Sequence, residues 1–367
     1  MLRIIGKENN RFLLPSSAKA HSRKISFLLA LYCVAFCTLA FGQIKTTSAR
    51  ASVLSGVVMS LNHVHDSSAS YCNGSTLLFY NANTGEAASG VVNSTGFQTI
   101  KTFAPGAFAK GWTSVANADS LNLLMFYNSY TGAAAIGNSD RGNFTTTQTF
   151  NNFSKGWTNI LYAGLTKGST AEPLFYNSSS GAGALGYSPS IKTYPAGGFA
   201  PGWSHVVWND SGMLFYDTYT GSGAVAVTFG SLPSQQAGVR TTKTFAAGAF
   251  AKSWTHVAAT GATILFYDYA SGSAAIGHLQ PIAVASAADF VTDKTYPANG
   301  FAPHWTSIVS AANNTLLFYN ADTGEGAIGN IANNAFTTTK VYPPNSFAHG
   351  FTNIVCTEDS PNGNGLH

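Results

Sequence analysis

The sequence predicts an all-β fold, a six-bladed β-propeller of four-stranded blades, and three observations carry that prediction. An apolar marker recurs six times: LLFYN at 77, LMFYN at 124, LFYN at 174, LFYD at 214, LFYD at 265 and LLFYN at 316. Trp112, Trp157, Trp203, Trp254, Trp305 and Phe351 mark a second recurring segment, at intervals of 45, 46, 51, 51 and 46 residues. Between the markers no stretch shows the 3.6-residue apolar period of an amphipathic helix.

Each unit divides into four short segments. The LFY run is continuous apolar, as a strand buried on both faces is. Next comes a turn with a small-residue stretch: NTGEAASG, YTGAAAIG, SSGAGALG, YTGSGAVA, ASGSAAIG and DTGEGAIG. Gly supplies the positive φ of the turn, and the Asn or Asp ahead of it can bond its own backbone as an Asx turn. A third segment, as in FQTIKTF, FTTTQTF, VRTTKTF and FTTTKVY, interleaves polar and apolar residues like a half-exposed strand. The fourth is short and aromatic: GWTSV, GWTNI, GWSHV, SWTHV, HWTSI and GFTNI. Four strands per unit match one propeller blade. A β-sandwich or another β-repeat is the alternative, but sandwiches rarely repeat near-identical units and solenoid coils are usually shorter.

LNHV at 61–64 stands 51 residues before Trp112 and reads as a degenerate copy of the aromatic segment. Seven such segments then serve six LFY strands. Either the C-terminal segment at 351–355 completes the blade begun at Leu77, or the segment at 61 does. A disulfide between Cys72 and Cys356 favours the first arrangement, and a ring closed this way leaves no long exposed edge.

The chain has 367 residues, 45% of them hydrophobic, enough to bury a sizeable core; only 9% are charged, against about 25% in ordinary soluble domains. Six basic residues precede an uncharged run, ISFLLALYCVAFCTLAFG at 25–42, with small Ala40 and Gly42 before Gln43. Residues 1–42 read as a secretory signal, or else as an uncleaved anchor, the one case in which the protein would contact a membrane. Residues 43–60 read as a linker, 61–356 as the propeller and 357–367 as a flexible tail. Localisation is accordingly expected to be secreted or cell-surface. Without residues 1–42, which hold six of the 19 Lys and Arg and one of the 15 Asp and Glu, 13 basic residues face 14 acidic ones, a net charge of −1. That balance argues against a nucleic-acid partner. Cys33 and Cys37 would leave with the signal. Cys72 and Cys356 remain, and in an exported chain such a pair reads as a disulfide.

The series W[TS]xI/V, LLFY[DN] and xxTG with an aromatic-bearing strand resembles the bacterial FG-GAP type of propeller repeat, the group of integrin-like and lectin-like propellers, over about 60–356. That resemblance implies Asp-rich calcium loops ahead of the LFY strand. Here those stretches are ANADSLN, WNDSG, ATGAT and SAANNT, without the Asp-x-Asp-x-Asp-Gly spacing of a calcium site. No metal and no cofactor is therefore expected.

Catalysis finds little support, and the chain is read as a non-enzyme. Asp217 and Asp268 occupy the place of Asn81, Asn128, Asn177 and Asn320, a turn position, whereas acid and base pairs need unique, tuned carboxylates. Arg50, Arg141 and Arg240 are the only arginines after residue 42. No Gly-x-Ser-x-Gly, His-Glu-x-x-His or phosphate-cradling motif occurs. The insertions at 231–239 and 280–289 are the main departures between repeats and bring no catalytic set. His205 and His256 stand where other units have Ser or Asn, and read as satisfied strand residues or as the lining of a polar pocket.

Trp112, Trp157, Trp203, Trp254 and Trp305 either fill space between blades or stack on sugar rings. Lys101, Lys192, Lys243 and Lys294 recur in KTF or KTY, with Lys340 in the same place, as stems packed over an aromatic or as donors to a ligand. The function expected from these nine residues is a non-enzymatic, lectin-like module with repeated weak sites for a carbohydrate or cell-surface glycan. A protein-binding or structural adhesion propeller is the alternative, and a hydrolase with one diverged blade the third reading.

Overall fold

The computed structural model describes residues 72, 74–118, 122–163, 172–187, 190–209, 211–229, 238–282 and 286–357. The expected signal, the linker, the LNHV segment and the C-terminal tail beyond 357 lie outside them. The described residues form 24 strands in six sheets of four antiparallel strands each. The six innermost strands neighbour one another in a closed cycle, so the sheets stand as blades around one axis. The protein is a six-bladed β-propeller.

Blade one shows how the ring closes. Its inner strand is Asn353–Cys356, from the C-terminal end, followed outward by Thr76–Tyr80, Ala87–Asn93 and Gly96–Phe103. The register sets Tyr80 opposite Asn353 and Leu77 opposite Cys356, and the Cys72–Cys356 disulfide clamps the pair with a Cα separation of 6.1 Å. Of the two closures open in the sequence, the C-terminal one is adopted.

The LFY strand is the second strand of every blade and is buried throughout in blade one and blade six. Sheet neighbours on both sides and blades on both faces explain its unbroken apolar run. Its Phe and Tyr point to opposite faces, as alternate strand residues must. All six hydrophobic clusters draw on two neighbouring blades, so the core lies between blades rather than within one.

Six tyrosines clasp adjacent blades. The Tyr80 hydroxyl donates to Ala109 O at 2.7 Å, and Tyr127, Tyr176, Tyr216, Tyr267 and Tyr319 donate likewise to Ser154, Ala200, Ala251, Ala302 and Ala348. Burial pushes the Tyr80 and Tyr216 hydroxyls up to about 12, so they stay protonated donors.

The turn after each LFY strand is built as its residues require. Asn81 Oδ1 accepts from the Asn83 and Thr84 amides, and Asp217 and Asp268 accept in the same way in their blades. The recurring carboxylates are thus turn caps. Gly221 in this turn has φ +68°, and a Cβ there would meet Phe250 O at 2.3 Å.

One expectation is refined. The inner strands begin at Ser114, Asn159, His205, His256, Ser307 and Asn353, two residues after the aromatic marker. The tryptophans therefore sit in the connection from one blade to the next, not in a strand.

Candidate functional site

Each connection runs from an outer strand back to the next inner strand and delivers its aromatic residue against the Phe of the LFY strand. Trp112 packs on Phe126 at 6.2 Å between ring centroids, Trp157 on Phe175 at 5.9, Trp203 on Phe215 at 6.1, Trp254 on Phe266 at 6.2 and Trp305 on Phe318 at 6.0. Phe351 takes the same place on Phe79. Trp305 is buried and the other four tryptophans are half-buried.

The residue after the aromatic one, Thr or Ser in every unit, is a staple. Thr113 Oγ1 donates to Tyr127 O and accepts from the Ser129 amide at 2.9 Å, and Thr158, Ser204, Thr255, Thr306 and Thr352 repeat both bonds. It binds the entry of each inner strand to the turn leaving the LFY strand. Both therefore face the same end of the ring.

At that end lies a cavity of about 780 Å³, built by blades six, one, two and three. Trp112, Trp157, Tyr130 and Phe351 give it apolar surface, and Ser114, Ser307 and Asn353, the first inner-strand residues, reach its floor. Ser114 is 4% exposed and Ser307 is half-buried. Asn128 is held at the rim by its Nδ2, which donates to Gly111 O at 2.7 Å. Among the described residues, no Asp, Glu, Lys, Arg or His lines the cavity.

His205 and His256 take the same inner-strand place in blades four and five but do not line this cavity. His256 is fully buried. Its Nε2 stands 3.1 Å from Thr306 O, a carbonyl that can only accept, so Nε2 carries the proton. Desolvation lowers its pKa to about 4, which keeps it neutral.

The lysines lie elsewhere, on the outer strands. Lys101 Nζ is 4.9 Å from the Phe103 ring centre, and Lys243, Lys294 and Lys340 stand over Phe245, Tyr296 and Tyr342 at 5.4, 5.1 and 5.9 Å. Residues two apart on a strand share a face, which is why the KTF pattern makes this pair. Lys101 also donates to Asn143 Oδ1 and Lys243 pairs with Asp289, both in the next blade. Lys192 sits at the corresponding outer-strand position of blade three. None of these five lysines lines the cavities that Trp112 or Trp157 reaches. The structure does not bring Trp and Lys together into a repeated site.

Sequence reasoning missed the cavity's hydroxyls and Asn353. The signal available was the first inner-strand residue, small or amide in blades one, two, three and six and His in blades four and five. It also missed Phe108 and its equivalents in the connection, which pack between the Phe rings of adjacent blades.

No protein-family model matches the chain, and no curated protein matches it. The FG-GAP resemblance is therefore not confirmed, beyond the propeller fold itself. Among solved structures, a protein of Bacteroides fragilis provisionally described as a 6-phosphogluconolactonase has 10% identity, with a TM-score of 0.47 over 76% of this chain and 96% of its own. A chain of the nidogen/laminin complex has 10% identity and a TM-score of 0.47, over 77% of this chain and 98% of that one. A periplasmic gluconolactonase of Pseudomonas aeruginosa has 12% identity and a TM-score of 0.45, over 77% and 86%. Likeness at this level carries no activity and no partner to this chain. Two of these three are described as lactonases and none as a lectin. The expectation of a non-enzymatic carbohydrate-binding module with repeated Trp and Lys sites is corrected by the placement above, the tryptophans in the connections and the lysines on the outer strands.

Proposed function

We propose that the protein holds one small, uncharged, hydrogen-bonding molecule at the mouth of its ring, in the cavity floored by Ser114, Ser307 and Asn353. The observation that carries this reading is the pairing of serine hydroxyls on the floor with aromatic walls, in a cavity of the size that small-molecule sites have. A ligand hydroxyl or amide would satisfy the two serines, while Trp112, Trp157 and Phe351 would cover its apolar surface. The absence of charged lining disfavours ions.

We also propose that the chain is exported. The apolar run at 25–42 and the Cys72–Cys356 pair, a bond that persists in oxidising compartments, support this. Within propellers, the W[TS]xI/V and LLFY[DN] spacing is our ground for placing the repeat beside the FG-GAP type.

The test is a thermal-shift screen of uncharged and charged small molecules, followed by calorimetric titration of the hits. The expected result is stabilisation by uncharged compounds at one per chain, lost in Ser114→Leu with Ser307→Leu while the fold survives. Hits confined to ions, or binding that persists in the double variant, would each overturn the reading.

A further inference from the structure

The repeat carries a plug that one junction between blades lacks. In four blades the outer strand lays a Phe ring into the groove against the preceding blade: Phe97, Phe144, Phe290 and Phe336. Phe144 lies 5.0 Å from Phe126 and 5.4 Å from Phe108, and Phe336 lies 5.3 Å from Phe318 and 4.8 Å from Phe301. Phe97 and Phe290 pack in the same way.

Each ring rests on a glycine of the third strand. A Cβ at Gly90, Gly137, Gly277 or Gly329 would come within 2.2, 2.4, 2.2 or 2.1 Å of the Cζ of its Phe. Blade four has Ala226 and Val239 in these two places, a smaller plug over a larger floor. The volume is conserved by exchange between the partners.

Blade three breaks the pattern. Its third and outer strands, Gly183–Tyr187 and Ser190–Tyr194, have five residues each and pair without the register shift that the other five blades show. Gly186 keeps the glycine, but the residues before Ile191 are Ser188, Pro189 and Ser190, with no Phe among them. At the junctions before blade two and before blade six, where Phe144 and Phe336 are in place, the groove holds about 260 and 240 Å³. At the junction before blade three it opens to about 710 Å³. An apolar cavity of about 150 Å³ already takes up benzene.

The walls are those of the plugged grooves: Phe150, Phe153, Trp157 and Phe175 stand where Phe103, Phe108, Trp112 and Phe126 line the groove before blade two, and Tyr194 is added to them. Among the described residues, Lys155 is the one charged residue of the lining and no carboxylate lines it. We propose that this cleft between blades two and three binds a small aromatic carboxylate, with its ring in the place that Phe144 and Phe336 fill in their blades and its carboxylate toward Lys155. The site shares Trp157 with the cavity at the mouth of the ring but no other lining residue, and it does not depend on that reading.

The test is calorimetric and ligand-observed NMR titration of the purified protein with 3-phenylpropionate, its amide and the aliphatic acid hexanoate. Expected is one saturable site per chain for the phenyl acid, at least tenfold weaker binding of hexanoate, and roughly threefold weaker binding of the amide, the size of a partly exposed charge contact. Lys155→Gln removes the difference between acid and amide. Thr193→Trp, or Ile191→Trp if the first fails to fold, fills the cleft and abolishes binding, whereas the Ser114→Leu, Ser307→Leu variant binds as before. Phe144→Ala, or Phe336→Ala, opens an equivalent cleft and raises the stoichiometry to two. No saturable binding in the millimolar range, equal binding of hexanoate, or binding unaltered by both filling variants would overturn the proposal.

Discussion

The hydroxyl of Tyr267 donates to the carbonyl oxygen of Ala302 at 2.9 Å, tying the LFY strand of blade five to the connection that leads into blade six. The Tyr267 hydroxyl oxygen in turn accepts from the Trp305 amide at 3.2 Å. One buried hydroxyl thus satisfies two backbone groups of a connection that has no regular structure of its own. Tyr267→Phe keeps the ring and strands both partners. The expected cost is about 1 to 3 kcal/mol, read as a lower denaturant midpoint with an unchanged slope.

Gly221, in the turn of blade four, leaves no room for a side chain. With φ +68° and Phe250 O 2.3 Å from where a Cβ would be, Gly221→Ala must shift the backbone as well as adopt a left-handed conformation. A loss of about 2 kcal/mol or more is expected in chemical unfolding. Gly248 is the control: its φ is +81°, but nothing stands within 4 Å of the Cβ position, so Gly248→Ala should cost about 1 kcal/mol.

His256 makes stability depend on pH. Its folded pKa is lowered from 6.5 to about 4, so the unfolded chain takes up a proton first as the solution is acidified. Its contribution is complete above pH 6.5 and is lost as the pH falls from there toward 4, by roughly 3 kcal/mol. Asn occupies this position in blades one and three. His256→Asn should therefore flatten the fall of the melting temperature between pH 7 and 4.5, and an equally steep fall in the variant would refute the assignment.

Closure rests on the C-terminal strand and its disulfide. Replacing Cys72 and Cys356 together by Ser is expected to cost about 2 to 4 kcal/mol. Limited proteolysis should then cut first within 350–357, because the inner strand of blade one loses its covalent tie to the start of the ring.

The Lys243–Asp289 pair is the contrasting case. The two side chains meet at 2.7 Å but both are 42% exposed. Lys243 holds the Asp289 carboxyl below the usual carboxylate range by its hydrogen bond. Water and salt screen such a pair, so Asp289→Asn should change stability by less than about 1 kcal/mol.

The architecture was legible in the sequence because a repeat states the same local physics six times. The unbroken LFY run, the Asn or Asp with Gly turn and the alternating Thr-rich strand are short-range patterns, and each became the element it predicts. The Cys72–Cys356 pair was legible from the count of cysteines, and the Lys over its ring from a spacing of two on one strand. What the chain could not show was which end of the ring a residue faces. Trp112 and Lys101 are 11 residues apart in one unit, yet only Trp112 reaches the mouth of the ring, because the connection carries it inward while the outer strand keeps Lys101 at the edge. Tertiary structure alone brought Ser114, Ser307 and Asn353 to one cavity floor from three blades, and it alone turned the missing Phe of blade three into an open cleft. Local sequence determines each strand and turn through its own backbone and side-chain preferences, but a site is made by residues far apart in the chain, and only the closing of the ring sets their distances.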